Sequence, residues 1–221
     1  MQLVFNEIAI IESLPAQEFQ TGTDLQRHLT VTAPLPVAVT LLQATTATEL
    51  LASLHGFAAR AEHDGWVPIV HLEIHGNVQG VTTASGERVS WIALSEPLRR
   101  INIASRNSLI VVLATCEGAY LATAVAEMPF AAAPFCGIVG PSKPVFSYLL
   151  IHGFRAFYAE LVHTQNFVSA LHQLQQRSLP EYAAFDAADL FRRGRQSYVD
   201  MMLKPSVVKE RVKRILRKRA R

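Results

Sequence analysis

Residues 109–118 read LIVVLATCEG, an uninterrupted apolar run that ends in a polar turn. A strand that is apolar at every position, instead of at every second one, is typical of the centre of a parallel sheet with both faces covered by helices. The pattern therefore predicts a central parallel strand over residues 109–114. In open α/β sheets the functional residues stand beyond the carboxyl ends of such strands, which directs attention to Cys116.

A second buried strand is predicted upstream at residues 68–74, which read PIVHLEI and precede a His-Gly pair. The helix before this strand begins with a capping box. In it the side chains of Thr46 and Glu49 bond each other's backbone N–H groups, and apolar residues follow at helical spacing. With a strand predicted at residues 37–42, these segments form a strand, helix, strand unit, which is the building block of parallel sheets.

The rest of the chain continues the alternation of strands and helices. Strands are predicted at residues 4–11 and 135–139, a hairpin at 80–89, and helices at 95–105 (capped by Ser95), 119–127, 144–162 and 166–176. This order predicts an α/β fold with a mostly parallel sheet. We place the main domain at residues 1–180 and predict a helical extension at residues 181–221.

Composition limits the classes of protein that this chain can belong to. Half of the 221 residues are hydrophobic and 18% are charged, which supports one folded core and excludes a disordered chain. Two cysteines cannot form the disulfide framework of a small secreted domain, so we expect a reducing compartment, the cytoplasm. Residues 1–11 lack the features of a secretory signal, and no apolar stretch approaches the roughly 20 residues that span a bilayer.

Positive charge is concentrated at the C-terminal end. Residues 204–221 carry nine basic residues and one glutamate, a net charge of +8, whereas residues 1–203 carry −5, which together make the chain's +3. Val208, Val212 and Ile215 stand at helical spacing among these cations. We predict a basic helix that is either solvated or docked on an acidic protein or anionic lipid. Nucleic acid is the least favoured partner because no aromatic residues alternate with the cations for base stacking.

Neither a metal site nor a cofactor site is predicted. His71, Glu73 and His75 alternate along one strand face, but the two histidines are about 13 Å apart along an extended strand and cannot share one zinc ion. We expect His71 or Glu73 to pair with a neighbour inside the fold. The segment from Gly137 to Gly140 lacks the third glycine and the Lys-Ser/Thr ending of a phosphate-binding loop.

Two strand ends carry residues suited to nucleophilic catalysis. His75 follows one predicted strand and Cys116 the other, 41 positions later. A thiol beside an imidazole can attack a carbonyl carbon while the imidazole acts as general base and then as general acid. We predict that His75 and Cys116 are catalytic and that the backbone N–H groups of Gly76 and Cys116 form an oxyanion hole. Cys136 has no such histidine partner and is interpreted as structural.

These motifs resemble those of a known family. Residues 114–118, Ala-Thr-Cys-Glu-Gly, are close to the caspase pattern Gln-Ala-Cys-x-Gly, which also has its histidine upstream. The glycines of residues 137–140 and the Phe-Arg-Ala-Phe-Tyr of residues 154–158 follow in the same order as in bacterial caspase-like proteins of the CHAT type. Over residues 68–161 the chain therefore resembles caspase-like (clan CD) cysteine peptidases.

The resemblance implies a three-layer sandwich with helices on both faces of the sheet, and a cysteine endopeptidase that cleaves a partner protein. It also implies latency until a partner or a cleavage activates the enzyme, and a role in bacterial defence against phage. The specificity pocket is unassigned, because residues 145–148 lack the acidic residue common in the family. Glu73 and Glu117 are the candidates for substrate binding. Glu87 and Lys143 are further candidates for determining specificity.

Two other functions fit parts of the sequence. One is a non-catalytic caspase-like interaction module that docks through the basic C-terminal helix. The other is a cysteine hydrolase of a different α/β type. The second is less favoured because such enzymes hold the nucleophile in G-x-[SC]-x-G, and Ala114 stands where this motif needs its first glycine.

Overall fold

A computed structural model describes residues 5–126, 128, 131–178 and 182–203. The elements in chain order are β1 (Glu7–Ser13), α1 (Thr21–Arg27), which a π-helical turn (His28–Thr32) continues, β2 (Ala38–Gln43), α2 (Ala47–Asp64), β3 (Pro68–Asn77), β4 (Gly80–Thr82), β5 (Arg88–Ser90), α3 (Trp91–Ala104), β6 (Ile110–Ala114), α4 (Tyr120–Ala126), β7 (Gly137–Pro141), α5 (Ser147–Thr164), α6 (Phe167–Ser178), β8 (Tyr182–Asp186) and α7 (Ala187–Leu203). The predicted basic helix of residues 204–221 lies outside the described residues.

The central sheet has the strand order β2-β1-β3-β6-β7-β8. The first five strands of this order are mutually parallel, and β8 pairs antiparallel with β7. The short strands β4 and β5 form the predicted hairpin, which extends from the end of β3. Because the sheet is mostly parallel, the carboxyl ends of β1, β3 and β6 meet at one edge.

Helices cover both faces of this sheet and make it the middle layer of a three-layer α/β sandwich, as predicted. On one face α2, α3, α4 and α7 bury apolar side chains against alternate residues of the strands. On the other face α1, α5 and α6 pack on the remaining residues, with Phe154, Phe157 and Tyr158 of α5 fully buried. The residues of β6 are all buried, which explains why that strand is apolar at every position.

Three parts of the chain differ from the sequence-based prediction. Helix α3 begins at Trp91 with Ser90 as its N-cap, because its apolar stripe starts before Ser95, which lies buried inside the helix. Helix α1 was not predicted, since its N–H groups are capped from a distance by the Glu12 carboxylate. Residues 182–186, predicted as part of a helical extension, form strand β8, which completes the edge of the sheet.

None of the described helices combines the length and the apolar character that crossing a membrane requires.

A buried carboxylate joins three elements at the start of β1. Glu7 accepts hydrogen bonds from the Thr40 hydroxyl (2.6 Å) and the Trp66 indole N–H (2.8 Å), and pairs with Arg60 (2.7 Å). Burial alone would raise the pKa of Glu7, but the hydrogen bonds from Arg60, Thr40 and Trp66 outweigh it and hold the pKa below its ordinary value of 4.5. The cluster stabilises the fold only while Glu7 is ionised.

We expect Glu7→Gln to lower the free energy of unfolding by about 2 kcal/mol at pH 7, because charge-assisted hydrogen bonds are lost. A lowered pKa in the folded state gives stability that is present above the ordinary pKa and is lost as the pH falls through the folded pKa. The free energy of unfolding, measured with urea between pH 7 and pH 3, should therefore fall less steeply with falling pH in the variant than in the natural chain. An unchanged slope below pH 4.5 would show that Glu7 is not a source of the acid sensitivity.

Candidate active site

A pocket of about 350 Å³ opens at the carboxyl ends of β1, β3 and β6. Its floor is formed by the buried residues Glu73, Ala114 and Thr115. Apolar walls come from Leu14, Ile74, Val145 and Leu150, and the rim carries His75, Cys116, Glu18, Phe19 and Phe146. Two larger cavities of about 440 Å³ lie elsewhere in the described structure, and neither is lined by both a cysteine and a histidine.

The register of the sheet brings the predicted nucleophile and base to this pocket. Glu73 of β3 is aligned with Ala114 of β6 across the parallel ladder. His75 and Cys116 each stand two positions farther along, so the 41-residue spacing seen in the sequence equals the offset between the paired strands. Both side chains line the pocket.

Gly76 allows this close approach between the two strand ends. A Cβ atom at Gly76 would lie 2.1 Å from the Thr115 hydroxyl oxygen and 2.8 Å from the carbonyl oxygen of Cys116. No side chain fits at either distance, so only glycine permits β3 to pass the turn that follows β6. The predicted oxyanion-hole residues, Gly76 and Cys116, are therefore neighbours in space.

His75 projects from β3 with half of its side chain exposed. Its Nε2 lies 2.8 Å from a carboxylate oxygen of Glu18, which belongs to the loop between β1 and α1. A carboxylate on one ring nitrogen orients an imidazole and fixes its tautomer. Glu18 was not predicted as a site residue, because a glutamate in a loop 57 positions from its histidine has no local signature.

Cys116 is half-buried at the start of a tight turn. Its Sγ lies 3.8 Å from the carbonyl oxygen of Val145, to which the thiol donates. Within the described residues, the Cys116 N–H has no hydrogen-bond partner, which leaves it available to a ligand. Helix α4 begins at Tyr120, one residue after the predicted start at residue 119, and has only seven residues.

The turn itself holds an unusual backbone conformation. Glu117 has a φ of +58°, in the left-handed region that non-glycine residues rarely adopt. The turn is closed by hydrogen bonds from Gly118 N–H to Thr115 O and from Ala119 N–H to Pro141 O. Such strained residues persist where the surrounding structure over-determines them, often at functional sites. The Glu117 side chain does not line the pocket, unlike that of Glu73, the other residue predicted to bind substrate.

Beneath the pocket, Glu73 belongs to a buried hydrogen-bond network. One carboxylate oxygen accepts from the Thr21 hydroxyl (2.7 Å), and the other lies 3.0 Å from Nε2 of His71, whose Nδ1 is 2.8 Å from the Tyr158 hydroxyl. Burial, and then the charge of Glu73, raise the pKa of Tyr158 well above its ordinary value of 10.0. Tyr158 therefore keeps its proton. The expected pairing of His71 or Glu73 inside the fold is confirmed.

Two buried polar groups near the pocket have no hydrogen-bond partner within the described structure. They are the hydroxyls of Thr115, on the pocket floor, and Tyr182, on β8. Burial, and then the nearby Glu73 and Cys116, raise the pKa of Tyr182 above its ordinary value of 10.0. Unpaired buried hydroxyls are rare in proteins and require an explanation.

The second cysteine lies in a different environment. Cys136 lines a cavity between α3 and α7 with Asp186 and Arg195, and no histidine lines that cavity. Burial, and then the charge of Asp186, raise the pKa of the Cys136 thiol above its ordinary value of 9.0. Cys136 is therefore protonated at neutral pH and is a poorer nucleophile than a cysteine exposed to solvent.

Comparison with known proteins adds no family assignment. A scan against protein-family models finds no match for this chain, and neither does a search of the curated proteins. What the pocket can do follows from its own chemistry. It holds a thiol, an imidazole with a carboxylate partner, and a backbone N–H without a partner in the described structure. These are the groups that acyl transfer through a covalent thioester requires.

Proposed function

We propose that this chain is a cysteine endopeptidase that cleaves a partner protein through Cys116 and His75. The observation that carries the proposal is the shared pocket at the strand ends, where the sheet register places both residues beside Gly76. A resemblance to caspase-like peptidases, read from the sequence, agrees with this arrangement. The proposal includes the cytoplasm as the site of action and defence against phage as the biological setting.

In the proposed reaction, His75 takes the thiol proton and the Sγ of Cys116 attacks the scissile carbonyl carbon. The Cys116 N–H stabilises the negative charge that develops on the carbonyl oxygen. Gly76, the other predicted oxyanion-hole residue, lies beside it. The C–N bond then breaks, and the imidazolium gives its proton to the leaving amine. Water attacks the resulting thioester while His75 takes its proton, and that proton returns to the Cys116 sulfur as the acid is released.

Glu18 is proposed as a positioning residue for His75. Its carboxylate contacts Nε2 at 2.8 Å, so it can hold the ring at the pocket rim and offset the charge of the imidazolium. In the described contacts, His75 bonds Glu18 and the Cys116 thiol bonds Val145, and the two do not bond each other. This arrangement supports latency, because the thiol must leave the Val145 carbonyl before His75 can take its proton.

The test is intact-mass measurement after brief exposure of the full chain to a peptidyl electrophile at neutral pH. We expect one label on the natural chain, none on Cys116→Ala, and labelling at least about a hundredfold slower on His75→Ala. Cys136→Ala and His55→Ala are the matched controls. Both should label like the natural chain, because neither residue lines the pocket.

Two results would contradict the proposal. One is a label that remains on Cys116→Ala and moves to Cys136. The other is cleavage of a partner protein that continues unchanged in Cys116→Ala. Either result would reject Cys116 as the nucleophile. A natural chain whose Cys116 stays unlabelled, and which loses partner binding when residues 204–221 are deleted, would favour the non-catalytic interaction module, for which the net charge of +8 on those residues is the supporting observation.

A further inference from the structure

The pocket beside Cys116 has two negatively charged side chains and no positively charged one from the described chain apart from His75, which is charged only when protonated. Glu73 lies on the floor with 2% of its side chain exposed, and Glu18 lies at the rim with 42% exposed. The two glutamates thus mark the bottom and the mouth of one cavity.

The walls between these carboxylates are apolar. Leu14, Ile74, Val145 and Leu150 line the space from the rim to the floor. A ligand side chain that enters the pocket therefore needs a long aliphatic stem, so that its polar end reaches the buried floor. Lysine and arginine have this combination of an apolar stem and a cationic end.

The floor also has unused hydrogen-bonding capacity. Thr115 lines the pocket and is nearly fully buried, and its hydroxyl has no partner among the described residues. The described contacts of the Glu73 carboxylate are with the Thr21 hydroxyl and the His71 ring, and a carboxylate accepts about four hydrogen bonds. Acceptors without partners are suited to an ammonium or guanidinium group, which has only donors.

We infer that the pocket beside Cys116 binds a basic side chain, lysine or arginine, of the substrate residue that precedes the scissile bond. The inference rests on the proposed function, because Cys116 defines which substrate residue reaches the pocket. The aliphatic stem packs on the apolar walls, and the cation lies between Glu73 on the floor and Glu18 at the rim. An acidic side chain is excluded by like-charge repulsion.

The first experiment compares peptidyl electrophiles that differ only in the residue next to the reactive group. We expect the lysine and arginine probes to label Cys116 at least about tenfold faster than the norleucine probe, which has lysine's stem without its charge, and faster still than the aspartate probe. In Glu73→Gln and Glu18→Gln the ratio of the lysine rate to the norleucine rate should fall towards one. A change in the position of His75 alters both rates together, so the ratio isolates the charge.

Glu62→Gln is the matched control, because Glu62 is an exposed glutamate that pairs with Arg100 and does not line the pocket. Its lysine-to-norleucine ratio should equal that of the natural chain. Labelling of Cys116 at equal rates by all four probes would overturn the inference while leaving the proposed function intact.

A second experiment separates the pocket from the chemistry. In Cys116→Ala, which has no nucleophile, agmatine presents a guanidinium on an aliphatic stem and can be titrated by NMR. We expect agmatine to bind Cys116→Ala, and to bind at least about tenfold more weakly when Glu18→Gln or Glu73→Gln is combined with it. Binding of agmatine to a chain that no electrophile labels, even after the partner proteins of the cell are added, would retain the basic pocket and reject the peptidase. Absence of agmatine binding together with equal probe rates would reject the basic pocket.

Discussion

Replacing Gly76 with alanine is expected to lower the free energy of unfolding by about 3 kcal/mol. The new methyl group would have to occupy a position 2.1 Å from the Thr115 hydroxyl oxygen and 2.8 Å from the Cys116 carbonyl oxygen. One of these neighbours is backbone, so the clash cannot be relieved by a side-chain rotation alone. Urea denaturation measures the loss, and slower electrophile labelling of Cys116 would show that the turn has moved.

The same substitution elsewhere in the chain provides the control. Gly56 lies inside α2, and a Cβ atom there would meet nothing within 4 Å. Gly56→Ala should therefore stabilise the protein by about 0.5–1 kcal/mol through higher helix propensity. In a double-mutant cycle, Thr115→Ala should recover at least about 1 kcal/mol of the Gly76→Ala loss. Equal effects of alanine at Gly76 and Gly56 would disprove the close approach of the two strand ends.

The second large effect is expected at Glu73. Glu73→Ala should lower the free energy of unfolding by about 3 kcal/mol, because it leaves the buried His71 ring and the Thr21 hydroxyl without their acceptor. Glu73→Gln keeps the side-chain shape and one oxygen acceptor, so its loss should be smaller. Thermal or urea unfolding of the two variants measures the difference.

Glu62→Ala is the control for this prediction. Its ion pair with Arg100 is about 40% exposed on both sides, and exposed pairs contribute only about 0–1 kcal/mol. A Glu73→Ala loss no larger than the Glu62→Ala loss would show that the buried network does not stabilise the fold. A large loss would support a specific structural role. Through Thr21, Glu73 connects β3 to α1 and so steadies the loop that carries Glu18.

Gly76 and Glu73 together support the pocket. Gly76 determines how closely the turn after β6 approaches β3, and Glu73 determines where α1 lies above the strand ends. Neither residue carries out a bond-breaking step in the proposed reaction. Both set the positions of groups that do.

Much of the fold follows from local patterns in the sequence. Apolar runs and the capping box predicted β3 and β6 close to their observed limits and the start of α2 at its observed N-cap, since buried strands and helix caps leave a signal in neighbouring residues. The same reasoning placed His75 and Cys116 just after two strands. Strand β3 in fact continues through His75 to Asn77, and the spacing of the two residues agrees with the sheet register. The π-helical turn, α1 and β8 were not predicted, because tertiary contacts stabilise them more than their own residues do.

The sequence by itself determined the α/β class and the two strand ends that carry a thiol and an imidazole. Tertiary structure alone decided the surroundings of these groups. They are the hydrogen bonds of His75 with Glu18 and of Cys116 with Val145, and the hydrogen-bond network from Thr21 through Glu73 and His71 to Tyr158. The physical reason is the separation along the sequence of the residues that interact. Strand and helix patterns arise between residues a few positions apart, whereas these contacts join residues 29 to 87 positions apart, apart from the local pair of His71 and Glu73. Such contacts form only when packing of the helices on the sheet brings distant loops together.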